Sequence, residues 1–111
     1  MTTYAVANLR NVRMGPAIIA YLQAIDATLA PFHGRFIIHG GDKTVLEGQW
    51  PGDLIVIAFP EREAAEQWYA SQPYRDIQHL RADNSEGDVI LIAGVGEEHR
   101  ATDILAGADA R

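Results

Sequence analysis

The run LIVIAF, Leu54 to Phe59, is apolar at every position, and VILIA, Val89 to Ala93, repeats that pattern near the other end of the chain. Successive side chains of an extended segment point to opposite faces, so Leu54, Val56 and Ala58 take one side of a sheet and Ile55, Ile57 and Phe59 the other. In the same way Val89, Leu91 and Ala93 oppose Ile90 and Ile92. A sheet with helices on one face alone alternates to polar residues on the face that meets water. These strands do not alternate, so both faces require cover. Leaving four large side chains of the second face in water forgoes about 6–12 kcal/mol, which rivals the whole stability of a small domain. Beyond Gly96 the only large apolar residues are Ile104 and Leu105, too few to cover a face. A second copy packed on that face through a symmetric interface removes the penalty, and a homodimer is expected.

The remaining elements follow from periodicity and punctuation. Tyr4 to Arg10 is expected to be a strand. Gly15-Pro16 opens a helix, since proline is tolerated in a first turn where its missing N–H has no intrahelical partner. Within it Ile18, Leu22, Ile25 and Leu29 form an apolar stripe, ending near Pro31. The segments GRFIIHG and VLEGQW, separated by glycines, are expected to pair as a hairpin. Pro60 stops the strand that follows. Glu61 and Glu63 then sit in the first turn of a helix, where carboxylates favour the positive end of the macrodipole. Ala64, Ala65, Trp68 and Tyr69 supply its buried face. Ser71 with Pro73 signals an N-cap and a second helical piece from about Gln72 to Arg81. Residues 1–96 form one domain and 97–111 a tail, with a short turn near Thr102.

Composition removes several functional classes. The chain has no cysteine, so disulfides, thiolate metal sites and a cysteine nucleophile are excluded. A formal charge of −6 and nine scattered basic residues argue against nucleic acid and anionic membranes as partners. The amino terminus lacks the basic and apolar regions of a secretory signal, and a cytoplasmic location is expected. Histidines 33, 39, 79 and 99 are too widely spaced for a local metal-ligand motif, and no metal or cofactor is expected.

Two groups of residues can carry chemistry. In the expected hairpin His39 alternates with Arg35, and Glu47 lies across from them. Arg35 would clamp an anion, with Glu47 or His39 transferring a proton. An ordinary cross-strand ion pair is the competing interpretation of Arg35 and Glu47. The second group is AEQWYASQPY, where Tyr69, Ser71 and Tyr74, with Arg81 as a polar partner, are candidate substrate-binding residues. Packing at a helix junction explains the same residues without a ligand.

Together, GRFIIHGG, VLEGQW and LIVIAFPEREAAEQWYASQPYRDIQHLR resemble the domain-of-unknown-function family 1330 (DUF1330). The resemblance runs from Tyr4 to Gly94 and rests on Gly34-Arg35, Gly40-Gly41, Glu47-Gly48, Phe59-Pro60 and the Trp68, Tyr69, Ser71, Tyr74, Arg81 series. His33 stands where the family usually has a glycine. The resemblance implies an α+β ferredoxin-like βαββαβ fold with an antiparallel sheet, assembled as a dimeric α/β barrel, and no assigned activity. Two functions remain open on these residues. One is a small-molecule-binding protein or cofactor-independent enzyme with its pocket between helices and sheet. The other is a non-catalytic dimerisation or interaction module.

Overall fold

The computed structural model describes residues 1–106, so residues 107–111 of the expected tail lie outside the described part. Four antiparallel strands form one sheet: β1 (Thr3–Arg10), β2 (Arg35–His39), β3 (Asp53–Phe59) and β4 (Glu86–Ala93), in the order β2-β3-β1-β4. Helix α1 (Pro16–Leu29) joins β1 to β2. Between β3 and β4 run α2 (Arg62–Ala70) and α3 (Gln72–Ala82), one crossover broken at Ser71. The result is the α+β ferredoxin-like arrangement, followed by the short α4 (Asp103–Ala106).

The two most apolar strands flank β1. Its partners on the two sides run from Thr3↔Phe59 to Leu9↔Asp53 and from Thr3↔Ala93 to Arg10↔Glu86. Paired residues share a face, so Ala5, Ile57 and Leu91 point together toward the helices, while Val6, Val56 and Ile90 point away. On the helix side Ala5, Ile57 and Phe59 pack with Tyr21, Ile25, Leu29, Ala65, Trp68 and Tyr74 into the core. No helix among the described residues lies over the other face. There Ile38, Ile90 and Ile92 are 40%, 52% and 49% exposed.

In α1 the buried positions are Ile18, Tyr21, Ile25, Thr28 and Leu29, whereas Leu22, expected in the stripe, is 40% exposed. The reason is polar satisfaction. The Tyr21 hydroxyl meets that of Tyr74 at 2.8 Å, and Thr28 Oγ1 donates to the Ile25 carbonyl at 2.7 Å while accepting from Trp68 Nε1 at 3.0 Å. Buried polar tips with partners are tolerated, and Leu22 is turned outward.

The expected hairpin is not formed. VLEGQW lies in the loop between β2 and β3, and β2 pairs with β3 directly. Gly40, Gly41 and Gly48 all have positive φ, which breaks the extended path on both sides of Val45-Leu46. Leu46 is 88% exposed, so no buried face holds the segment in strand form. His33, at φ 58, occupies the left-handed region after a single 3₁₀ turn, a conformation that glycine adopts at less cost than any residue with a Cβ.

No helix among the described residues is long and apolar enough to cross a membrane.

Candidate functional site

β2 contains a bulge. Its register runs Arg35↔Ala58 and Phe36↔Ile57, then slips so that Ile38 faces Val56 and His39 faces Ile55. An unbroken ladder would have put His39 on the face of Arg35. The extra residue moves it to the face of Phe36 instead, and the two rings stack at 4.3 Å and 12°. Bulges commonly re-aim a side chain in this way.

His39 thereby lines an open cleft of about 560 Å3 at the end of the sheet where β1 and β2 finish and β3 begins. Leu9 of β1, Ile18 and Leu22 of α1 and Ile55 of β3 give it apolar walls. Arg10, Lys43, Trp50, Asp53 and Arg81 add charged and aromatic groups. The outward turn of Leu22 is thus a cleft wall. Hydrogen bonds tie the neighbouring loops together: Arg13 N–H donates to the Asn84 carbonyl at 2.8 Å, and the Arg13 guanidinium donates to the Asp83 carbonyl.

Behind the cleft lies an aromatic cluster. Tyr74 is 2% exposed, its ring 4.2 Å from that of Trp68 and 6.2 Å from that of Tyr21 in an edge-on contact. The Arg81 guanidinium stands over the Tyr21 ring, 6.0 Å from its centroid. Burial, and then the adjacent Tyr74, push the Tyr21 hydroxyl far above the usual tyrosine range, against the opposing pull of Arg81. Tyr21 is therefore a neutral phenol, suited to hydrogen bonding and not to acting as a base. Burial works against the charge on Arg81, but the Tyr74 and Tyr21 oxygens outweigh it and raise its pKa.

The sequence-derived candidates are distributed over several places. His39 and Arg81 meet at the cleft, with Tyr74 packed behind Arg81 against Tyr21. Tyr69 is half-buried, its hydroxyl accepting from Gln78 Nε2 at 3.0 Å. Ser71 donates to the Trp68 carbonyl at 2.7 Å and accepts from Tyr74 N–H at 3.5 Å as the cap of α3. Arg35 is exposed and borders a separate depression of about 230 Å3 with His33 and Phe59. Glu47 is exposed in the β2–β3 loop, on a depression of about 550 Å3 with Ile38, Leu46 and Leu54. Arg35 and Glu47 make no ion pair among the described residues. Because VLEGQW is not a strand, the cross-strand contact expected of them has no basis.

Sequence reasoning missed Tyr21, Leu22, Lys43, Trp50 and Asp53. The signal for Tyr21 was present: a tyrosine four residues before Ile25 lies on the core side of α1, and a buried phenol requires a partner. The others come together only through the loop path, which periodicity does not reveal. No cluster of three His, Asp or Glu side chains suited to hold a metal occurs among the described residues.

Several solved structures share the fold. RPA0582, a protein of unknown function from Rhodopseudomonas palustris, is 16% identical, with 86% of this chain and 83% of that chain covered and a TM-score of 0.63. SnoaB, a cofactor-independent oxygenase from Streptomyces nogalater, is 11% identical over 89% of this chain and 98% of that chain, with a TM-score of 0.59. A dimeric ferredoxin-like protein of unknown function from Jannaschia sp. CCS1 is 9% identical over 81% and 98% of the two chains, with a TM-score of 0.56. Among curated proteins none matches the sequence. The family model described as "Domain of unknown function (DUF1330)" matches residues 2–95, more than half of the chain, which therefore belongs to that family.

Proposed function

We propose that this chain is a homodimeric small-molecule-binding protein whose ligand lies in the cleft between α1, the end of α3 and the sheet. The observation that carries this is the convergence of His39 and Arg81 on one opening of about 560 Å3, a volume in the range of small-molecule sites. Mixed walls support it, since binding pockets combine apolar surface with a few placed polar groups. The homodimer rests on the uncovered apolar face with Ile38, Ile90 and Ile92, and on the dimeric state of the similar Jannaschia protein.

Catalysis without a cofactor is the extension of this reading that the position of His39 favours. An imidazole has one ring nitrogen that can accept a proton and another that can donate one, the combination needed to move a proton at a bound ligand. The shared fold with SnoaB adds analogy only. A non-catalytic interaction module is the competing reading, favoured by Leu46 at 88% exposure together with exposed Val45 and Trp50 in one loop.

The test is a set of small fragments mapped by NMR on the uniformly labelled protein. Fragments that shift resonances of Ile18, Leu22, His39 and Ile55 together support the cleft. A set that leaves all four unmoved, while the protein stays folded, removes the binding reading in favour of the interaction module.

A further inference from the structure

The cleft is cationic within an acidic protein. The chain carries a formal charge of −6, yet Arg10, Lys43 and Arg81 line the cleft against a single carboxylate, Asp53. Two of these cations are already engaged: Lys43 lies 3.5 Å from Asp53, and Arg10 lies 3.3 Å from Asp88. Arg81 pairs with no carboxylate among the described residues. It is half-buried, and its neighbours are the phenols of Tyr21 and Tyr74.

A guanidinium keeps its charge and presents a planar fork of donors, so its natural complement is a carboxylate bound through both oxygens. A partly desolvated charge without a counterion is also an unfavourable arrangement that an incoming anion relieves. Concave surfaces lined by one sign of charge concentrate ligands of the opposite sign. The apolar walls limit the choice further. Leu9, Ile18, Leu22 and Ile55 offer hydrocarbon contact, and one unpaired cation matches one negative charge. A phosphate monoester carries roughly two negative charges, more than one unpaired guanidinium matches.

Resting on the small-molecule reading above, we propose that the cleft takes a monocarboxylic acid with an apolar body, its carboxylate forked by Arg81 and its body against Ile18, Leu22 and Ile55. Tyr21 and Tyr74 act as positioning residues. Their hydroxyl pair, closed at 2.8 Å, supports the ring beneath the guanidinium and fixes where the fork sits.

The experiment compares isosteric pairs on the intact protein: hydrocinnamate with hydrocinnamide, and hexanoate with hexanamide, by NMR titration at neutral pH. The expected result is that each acid binds at least about tenfold more tightly than its amide, and that Arg81→Gln abolishes the difference. Arg81→Lys, which keeps the charge and loses the fork, is expected to retain only part of it. Equal binding of acid and amide at the cleft overturns the carboxylate assignment and leaves the small-molecule reading standing. A preference for acid that survives Arg81→Gln overturns the role of Arg81. Acids and amides that all leave the cleft resonances unmoved, when the fragment set does move them, count against the carboxylate alone; silence in both experiments removes both readings. The comparison within the unaltered protein decides the carboxylate assignment even if a variant at Arg81 fails to fold, and intermolecular nuclear Overhauser contacts from the acid to the Arg81 side chain then test its role.

Discussion

The hydroxyl pair of Tyr21 and Tyr74 joins α1 to α3 inside the core, far apart in sequence and 2.8 Å apart in space. Its contribution has a definite pH dependence. The folded Tyr21 holds its proton to a pH well above the unfolded value of about 10. Stability from this group is therefore complete below that value and falls as pH rises beyond it, by up to about 1.4 kcal/mol per unit. Urea unfolding across the alkaline range is expected to show a steeper loss for the parent protein than for Tyr21→Phe. At neutral pH that variant is expected to be about 1–3 kcal/mol less stable, because the Tyr74 hydroxyl is left buried without its partner. The sequence revealed half of this arrangement. Tyr74 and Arg81 stood out beside Trp68 and Ser71, whereas Tyr21 was hidden because hydropathy favoured Leu22 for the core stripe. Which of two adjacent residues faces inward was decided by a hydrogen bond from another helix, information that a single helix's periodicity does not contain.

At the level of elements, the apolar strands, the proline that opens α1 and the serine that separates α2 from α3 were all legible, because each reflects a local steric or hydrogen-bonding rule. Ser71 is an instance where the element explains the residue. Its hydroxyl closes the end of α2 and caps the start of α3. Ser71→Ala is expected to lower stability by about 0.5–1 kcal/mol, read as a shift in urea midpoint. Two features were illegible. The slip in β2 reverses the face of His39, and strict alternation, applied to GRFIIHG, gives the wrong side. VLEGQW resembles a strand in composition, but left-handed glycines on both sides and the absence of a surface to bury against leave it a loop. With it went the expected meeting of Arg35 and Glu47, while His39 and Arg81 were brought together at a place no sequence spacing marks.

On the scale of the whole molecule, the sheet has two apolar faces and, among the described residues, helices enough for one. Ile90 lies midway along the edge strand β4 on the uncovered face, beside Val6 of β1. In the proposed homodimer, placing an ammonium there removes burial from both subunits of a symmetric pair at once, about 3–6 kcal/mol in total. Ile90→Lys is accordingly expected to sediment as a single subunit at concentrations where the parent protein sediments as a pair, with its helical content intact. The inference of two apolar faces came directly from LIVIAF and VILIA, and it is the part of the architecture that sequence conveyed best. That geometry also has a consequence for how members of the family diverge. Along β3, Ile55 borders the cleft while its neighbour Val56 lies on the reverse surface. In the proposed homodimer, adjacent letters of one short segment thus answer to different molecules, the first to the proposed ligand and the second to another subunit. Relatives that acquire new ligand preferences are expected to change at every second letter here and to keep the letters between, a two-step beat of variation set by the pleat itself.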